Sequence, residues 1–116
     1  MEISRKMAKT ACHALSEKKA EEIRVIDISE ISPLADYFVI ATGTNTNQIQ
    51  ALVDAVEEEL GKEGCQPKQI EGNRTSSWIL MDYRDIIIHV FSKEDRLFYD
   101  LERIWTDGKK IEVEEL

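Results

Sequence analysis

The chain has little with which to staple itself. Cysteine occurs twice in 116 residues, at Cys12 and Cys65. A small disulfide scaffold would carry more, so the fold must rest on an apolar core. No run of ~20 apolar residues is present, which excludes a membrane-spanning helix. No apolar segment follows the basic N-terminus, so no secretory signal is expected and the chain reads as cytosolic or organelle-matrix, with a cytoplasmic location expected. Positive charge is also scarce. Fifteen bases face 23 acids, giving a net charge of −8. Such a surface repels phosphate backbones and argues against direct DNA binding, while it attracts a basic protein. Repeats, low-complexity stretches and linkers are lacking too, and the length suits a single domain.

What is present suits an ordinary globular chain, with 42% apolar and 33% charged residues. Charge is unevenly spread. Arg5, Lys6, Lys9, Lys18 and Lys19 make the first twenty residues basic, Glu57–Glu59 form an acidic patch, and Glu112, Glu114 and Glu115 an acidic tail. Each cluster is read first as a solvated face or a loose end. The domain is expected to span 1–108, with 109–116 as the tail.

Ile3, Met7, Ala11, Ala14 and Leu15 recur at helical spacing over residues 2–20. Arg24–Ile28 is rich in β-branched residues and reads as a short strand. Tyr37–Ala41 is a continuous apolar run, as in a central strand covered on both faces. Thr42-Gly43-Thr44-Asn45 then turns into a helix whose apolar face is Ile49, Leu52, Val53, Val56 and Leu60. Thr44 or Asn45 can cap it, and Gly61 and Gly64 are expected to end it. Lys68–Glu71 is a weak strand, and Trp78–Met81 and Ile86–Phe91 are stronger ones. Ser92 and Asp95 open a last helix with Leu97, Phe98, Leu101, Ile104 and Trp105 on its apolar face, stopped at Gly108. The order implies an α/β fold of the α+β type, with a mixed sheet of about five strands flanked by helices.

Three constellations could carry chemistry. Thr42-Gly43-Thr44 lies between a strand and a helix, where backbone N–H groups can hold a phosphate. Nucleotidyltransferases follow such a turn with paired carboxylates for Mg²⁺. Residues 45–53 contain no acid, so a metal has no seat there. The P-loop lysine is missing as well. Asp82, Asp85 and His89 could share a proton. With the chain reversing at Tyr83-Arg84, Asp82 would face Asp85, Leu80 would face Ile87, and Trp78 would face His89. Parity then separates an apolar set, Ile79, Met81, Ile86, Ile88 and Val90, from a mixed face of Trp78, Leu80, Asp82, Asp85, Ile87, His89 and Phe91. The apolar set must be core. The mixed face has no nucleophile and no oxyanion donors, and its aromatics suit an interface or a packed layer between sheet and helix. Finally, Cys12, His13, Cys65 and His89 lack the tight spacing of a zinc site. No catalytic residue, cofactor or metal is expected.

The run Trp78-Ile-Leu-Met-Asp82-Tyr83-Arg84-Asp85-Ile-Ile-Ile-His89-Val-Phe91, followed by Arg96-Leu-Phe-Tyr99-Asp-Leu101-Glu102-Arg-Ile-Trp105, resembles the signature of the ribosomal silencing factor family, also called Iojap. Asp36–Thr44 resembles that family's other marked segment. The likeness runs from about Met7 to Asp107. One departure is Arg84, where members often carry glycine.

The resemblance implies a nucleotidyltransferase-like topology without the catalytic acids. It implies a non-enzymatic translation repressor that binds the large ribosomal subunit at its protein fourteen, blocks joining of the small subunit, and in some members forms a homodimer. An acidic chain would be steered towards a basic ribosomal protein. On this reading Trp78, Leu80, His89 and Phe91 carry contact area. Asp82, Arg96 and Tyr99 add polar contacts at its border. The alternatives are a divergent nucleotide-binding protein using Thr42–Thr44, and a dimerising scaffold using the same sheet face.

Overall fold

The computed structural model describes residues 2–30, 32–33, 35–72, 77–93, 109–111 and 116. The expected last helix, with Arg96, Tyr99 and Trp105, lies outside them. The described elements are α1 (Glu2–Glu17), β1 (Glu21–Asp27), β2 (Tyr37–Gly43), α2 (Thr46–Lys62), β3 (Gln69–Glu71), β4 (Trp78–Asp82), β5 (Ile86–Ser92) and β6 (Lys109–Ile111). The strands form one mixed sheet in the order β3-β4-β5-β2-β1-β6. β2 and β5 run parallel at its centre, and every other pairing is antiparallel. The five expected strands are all present. The sixth, β6, pairs with β1 through Val25–Ile111 and its neighbours.

The sheet has two unlike faces, set by the alternation of side chains along each strand. Val39 and Ala41 of β2, Ile79 and Met81 of β4, and Ile86, Ile88 and Val90 of β5 point to one side. There they meet Met7, Ala11 and Leu15 of α1 and Ile49, Leu52, Val56 and Leu60 of α2 in the larger core. All seven strand residues are at most 2% exposed. The α1 stripe starts one residue later than expected. Ile3 is 72% exposed, and Ser4 is buried in its place, donating to Asp36 Oδ2 at 2.7 Å. The stripe that closes on the sheet runs through Ser4, Ala8, Ala11 and Leu15, one helical face, and Ile3 falls off its edge.

α2 runs through Gly61 and ends one residue beyond it, at Lys62. The Cys65 N–H donates to Leu60 O at 2.9 Å and the Gly64 N–H to Gly61 O at 3.0 Å, with Gly64 at φ 80°. That pattern is a Schellman cap. Gly64 therefore stops the helix, whereas Gly61 lies within it.

Candidate functional site

The second face carries Ile26 and Ile28, Phe38 and Ile40, Phe91, and the partly buried Trp78 and Ile87. His89 lies among them at 5% exposure. The β4–β5 hairpin brings these groups together in a register two residues from that expected. Trp78 faces Phe91, Leu80 faces His89 and Asp82 faces Ile87. A two-residue shift keeps parity, so the division into faces is unchanged.

The shift comes from the turn. The loop is Arg84-Asp85, not Tyr83-Arg84, and the Tyr83 N–H donates to Ile86 O at 3.0 Å. A reversal at Tyr83 would leave its ring at the solvent tip. Moving the turn on by one residue puts Tyr83 in line with Ile79 and Met81 and buries it to 4%. Removing the apolar part of such a ring from water is worth at most roughly 2 kcal/mol, partly offset by its hydroxyl, which is buried without a hydrogen-bond partner among the described residues. The turn that results is tight. The Asp85 N–H donates to Tyr83 O at 2.9 Å across Arg84, whose φ is 72°. This is the bond and the angle of a strained γ-turn. The Asp82 carboxylate supports it by accepting the Arg84 N–H at 2.8 Å.

On the mixed face the Trp78 indole N–H donates to His89 Nδ1 at 3.2 Å. An indole nitrogen can only donate, so Nδ1 is the acceptor and the imidazole proton resides on Nε2. His89 stacks on Phe38 with ring centroids 5.2 Å apart and 21° between planes. Trp78 also tilts against Phe91 at 6.0 Å. Burial pushes the His89 pKa down to about 4, because an imidazolium among rings loses its hydration. His89 Nε2 is buried with no hydrogen-bond partner among the described residues. The imidazole is thus a neutral acceptor for tryptophan, and Asp82, held by the turn, is not paired with it as an acid–base couple.

The expected site residues separate by depth. Phe91 and His89 are buried. Trp78, Leu80 and Asp82 are half-buried. Trp78 and Leu80 border a cleft of about 270 Å³ that is also lined, among the described residues, by Glu71 and Gly72, where β3 ends. Sequence reasoning missed Glu71 and Gly72, which join the site only through the β3–β4 pairing of Glu71 with Leu80.

The strand-to-helix turn at Thr42–Asn45 is occupied internally. Asn45 caps α2, its side chain accepting the Gln48 N–H at 2.8 Å. Gln48 Oε1 accepts both the backbone N–H and the hydroxyl of Thr44. Its amide Nε2 donates to Lys18 O and Lys19 O. The Thr44 N–H that an anion would need is therefore already committed to a neighbouring side chain. Gln48 was not singled out in the sequence, although Asn45-x-x-Gln48 is close to a capping-box pattern. Gly43 has a packing reason. A Cβ there would lie 2.7 Å from Ile49 Cγ1.

Two charged clusters lie on the helices. His13 is exposed beside Glu17 at 3.6 Å, and Lys62 bridges Glu58 and Glu59 on the outside of α2. Such exposed pairs add little stability. Cys12 is buried, and its thiol is pushed up to about 12 by that burial. Among the described residues no three His, Cys, Asp or Glu side chains gather as metal ligands, and no helix is long and apolar enough to cross a membrane.

A family model described as "Ribosomal silencing factor during starvation" matches residues 1–116. A ribosomal silencing factor of Halalkalibacterium halodurans is 32% identical over 111 residues, covering 96% of this chain and 95% of that protein. The chain belongs to the ribosomal silencing factor family. A crystal structure of a Chromobacterium violaceum protein superposes with a TM-score of 0.84 at 31% identity, covering 92% of this chain and 88% of that one. The chain is also similar to a mouse protein named for mitochondrial assembly of the ribosomal large subunit. That likeness is 32% identity over 95 residues, 79% of this chain and 42% of the mouse protein.

Proposed function

We propose that this silencing factor is a non-enzymatic translation repressor of the cytoplasm that docks on the large ribosomal subunit at its protein fourteen and sterically blocks the small subunit. The observation that carries the reading is the half-buried Trp78–Leu80 surface, backed by buried His89 and Phe91. An aromatic anchor with a rigid backing and a cleft beside it is the form that interface hot spots take. The net charge of −8 favours a basic protein partner and disfavours bare RNA. The large-subunit name of the mouse relative points to the same half of the ribosome. In this reading Trp78 and Leu80 touch the partner and Asp82, Arg96 and Tyr99 border the contact. His89 and Phe91 hold the anchor from beneath. The domain takes in β6 as far as Ile111, and the acidic residues beyond it tune association rate and salt dependence. A second copy of the chain could cover the same surface.

Co-sedimentation with isolated large subunits tests this. Wild type is expected in the pellet at moderate salt, and Trp78→Ala, still folded, in the supernatant. Wild type remaining in the supernatant would overturn the reading. A variant that binds normally while folded would remove Trp78 from the contact.

A further inference from the structure

We propose that His89 is a positioning residue that sets the Trp78 indole for partner binding, by acting as a neutral acceptor locked in the Nε2–H form. The inference rests on the docking role proposed above for this face, and it assigns His89 a part other than contact. Four observations converge. The Trp78 N–H reaches Nδ1 at 3.2 Å, and tryptophan has no lone pair with which to reverse that bond. The imidazole plane is fixed by stacking on Phe38. His89 is 5% exposed, so it has almost no surface of its own to offer a partner. Trp78, by contrast, is half-buried and lines the cleft beside Leu80.

The geometry explains why an imidazole stands where an aliphatic side chain would pack as well. A leucine would fill the space but would offer the indole N–H no acceptor. An acceptor at Nδ1 selects one orientation. The site then needs no reordering of the anchor on binding, which is where preorganisation contributes affinity. Holding the proton on Nε2 leaves that buried donor without a partner among the described residues.

The test combines NMR with co-sedimentation. In imidazole-labelled protein at neutral pH, His89 is expected in the Nε2–H form, and the Trp78 indole N–H to resonate as a hydrogen-bonded proton. His89→Asn keeps an acceptor near Nδ1, whereas His89→Leu removes it. Trp78→Phe keeps a ring and removes the donor. Asn is expected to retain the indole signal and near wild-type binding to large subunits. Leu, folded by circular dichroism, is expected to lose the indole shift and to bind about three- to tenfold more weakly, the effect of one hydrogen bond. Adding Leu to Trp78→Phe should then cost nothing more, because the two act through one bond. An Nδ1–H form, or a folded His89→Leu protein that binds like wild type, overturns the proposal. If wild type does not bind large subunits at all, the docking role fails and the proposed positioning fails with it. The tautomer and indole signals then report separately whether the bond itself exists.

Discussion

Lys19 ends α1 in the backbone conformation with which Gly64 ends α2. The Ala20 N–H donates to Leu15 O at 3.0 Å and the Lys19 N–H to Ser16 O at 2.9 Å, the same pair of bonds made by Cys65 and Gly64. Lys19 has φ 65° and Gly64 has φ 80°. A lysine in the left-handed region costs roughly 1 kcal/mol that glycine does not. Lys19→Gly is therefore expected to stabilise the protein by about 1 kcal/mol, and Gly64→Lys to destabilise it by a similar amount. Urea unfolding of the two variants decides it. Equal midpoints for both and for wild type would show that the caps carry no strain.

Arg84 is another non-glycine residue in the left-handed region, and it lies in the hairpin that builds the site. Its φ of 72° closes the β4–β5 hairpin. Arg84→Gly should raise stability by about 1 kcal/mol, since the exposed side chain makes way for a residue at ease there. Asp82→Ala should do the reverse, because it strips the acceptor from the Arg84 N–H. Thermal melts with both variants read the sign directly.

Gly43→Ala is expected to cost about 1–3 kcal/mol by overpacking. The new methyl would stand 2.7 Å from Ile49 Cγ1 and 3.3 Å from the Ile49 backbone nitrogen. Combining it with Ile49→Ala should cost less than the sum of the two single changes, because the clashing atom is gone. Additive losses in chemical denaturation would show that the strand-to-helix turn yields elsewhere. A phosphate-binding role for this turn predicts instead that Gly43→Ala abolishes nucleotide affinity, which calorimetry with ATP and Mg²⁺ would reveal.

These positions also show where the sequence was legible. The α2 face of Ile49, Leu52, Val53, Val56 and Leu60 is buried as its spacing implies. Periodicity needs no tertiary knowledge to expose it. The two faces of the hairpin could be read because parity survives a two-residue slip. The slip itself could not, because it depends on Tyr83 reaching the core and on Asp82 supporting a strained Arg84. β6 was illegible for another reason. Lys109-Lys110-Ile111 looks like a charged tail, and edge strands are kept charged and short. At the site, Trp78 could be named from its residue type. The depth of Phe91 and His89 could not, since burial is a property of the assembled layers.

That depth divides the site residues by experiment. Phe91 is fully buried, so Phe91→Ala should cost about 3–5 kcal/mol and lose ribosome binding only together with the fold. Leu80 is half-buried beside the cleft, so Leu80→Ala should cost about 1 kcal/mol of stability yet weaken binding to large subunits several-fold. Unfolding midpoints and pelleting measured side by side separate the two. If Leu80→Ala left binding intact, the contact would not include the cleft.

His89 also makes stability depend on pH in a definite direction. Its folded pKa of about 4 lies below the ordinary 6.5 because burial excludes the charged form. Above 6.5 both folded and unfolded chains hold it neutral, and its contribution is fully present. Between 6.5 and 4 the unfolded chain takes up a proton that the folded one refuses, so stability falls as pH falls. The loss approaches about 3 kcal/mol by pH 4, at 1.36 kcal/mol per pKa unit. His89→Asn has nothing to titrate and should show a flatter profile over the same window. The difference between the two urea-derived curves isolates His89 from the carboxylates, which are common to both. Parallel curves between pH 6.5 and 4 would mean that the folded imidazole accepts a proton as readily as the free one, and that burial does not hold it neutral.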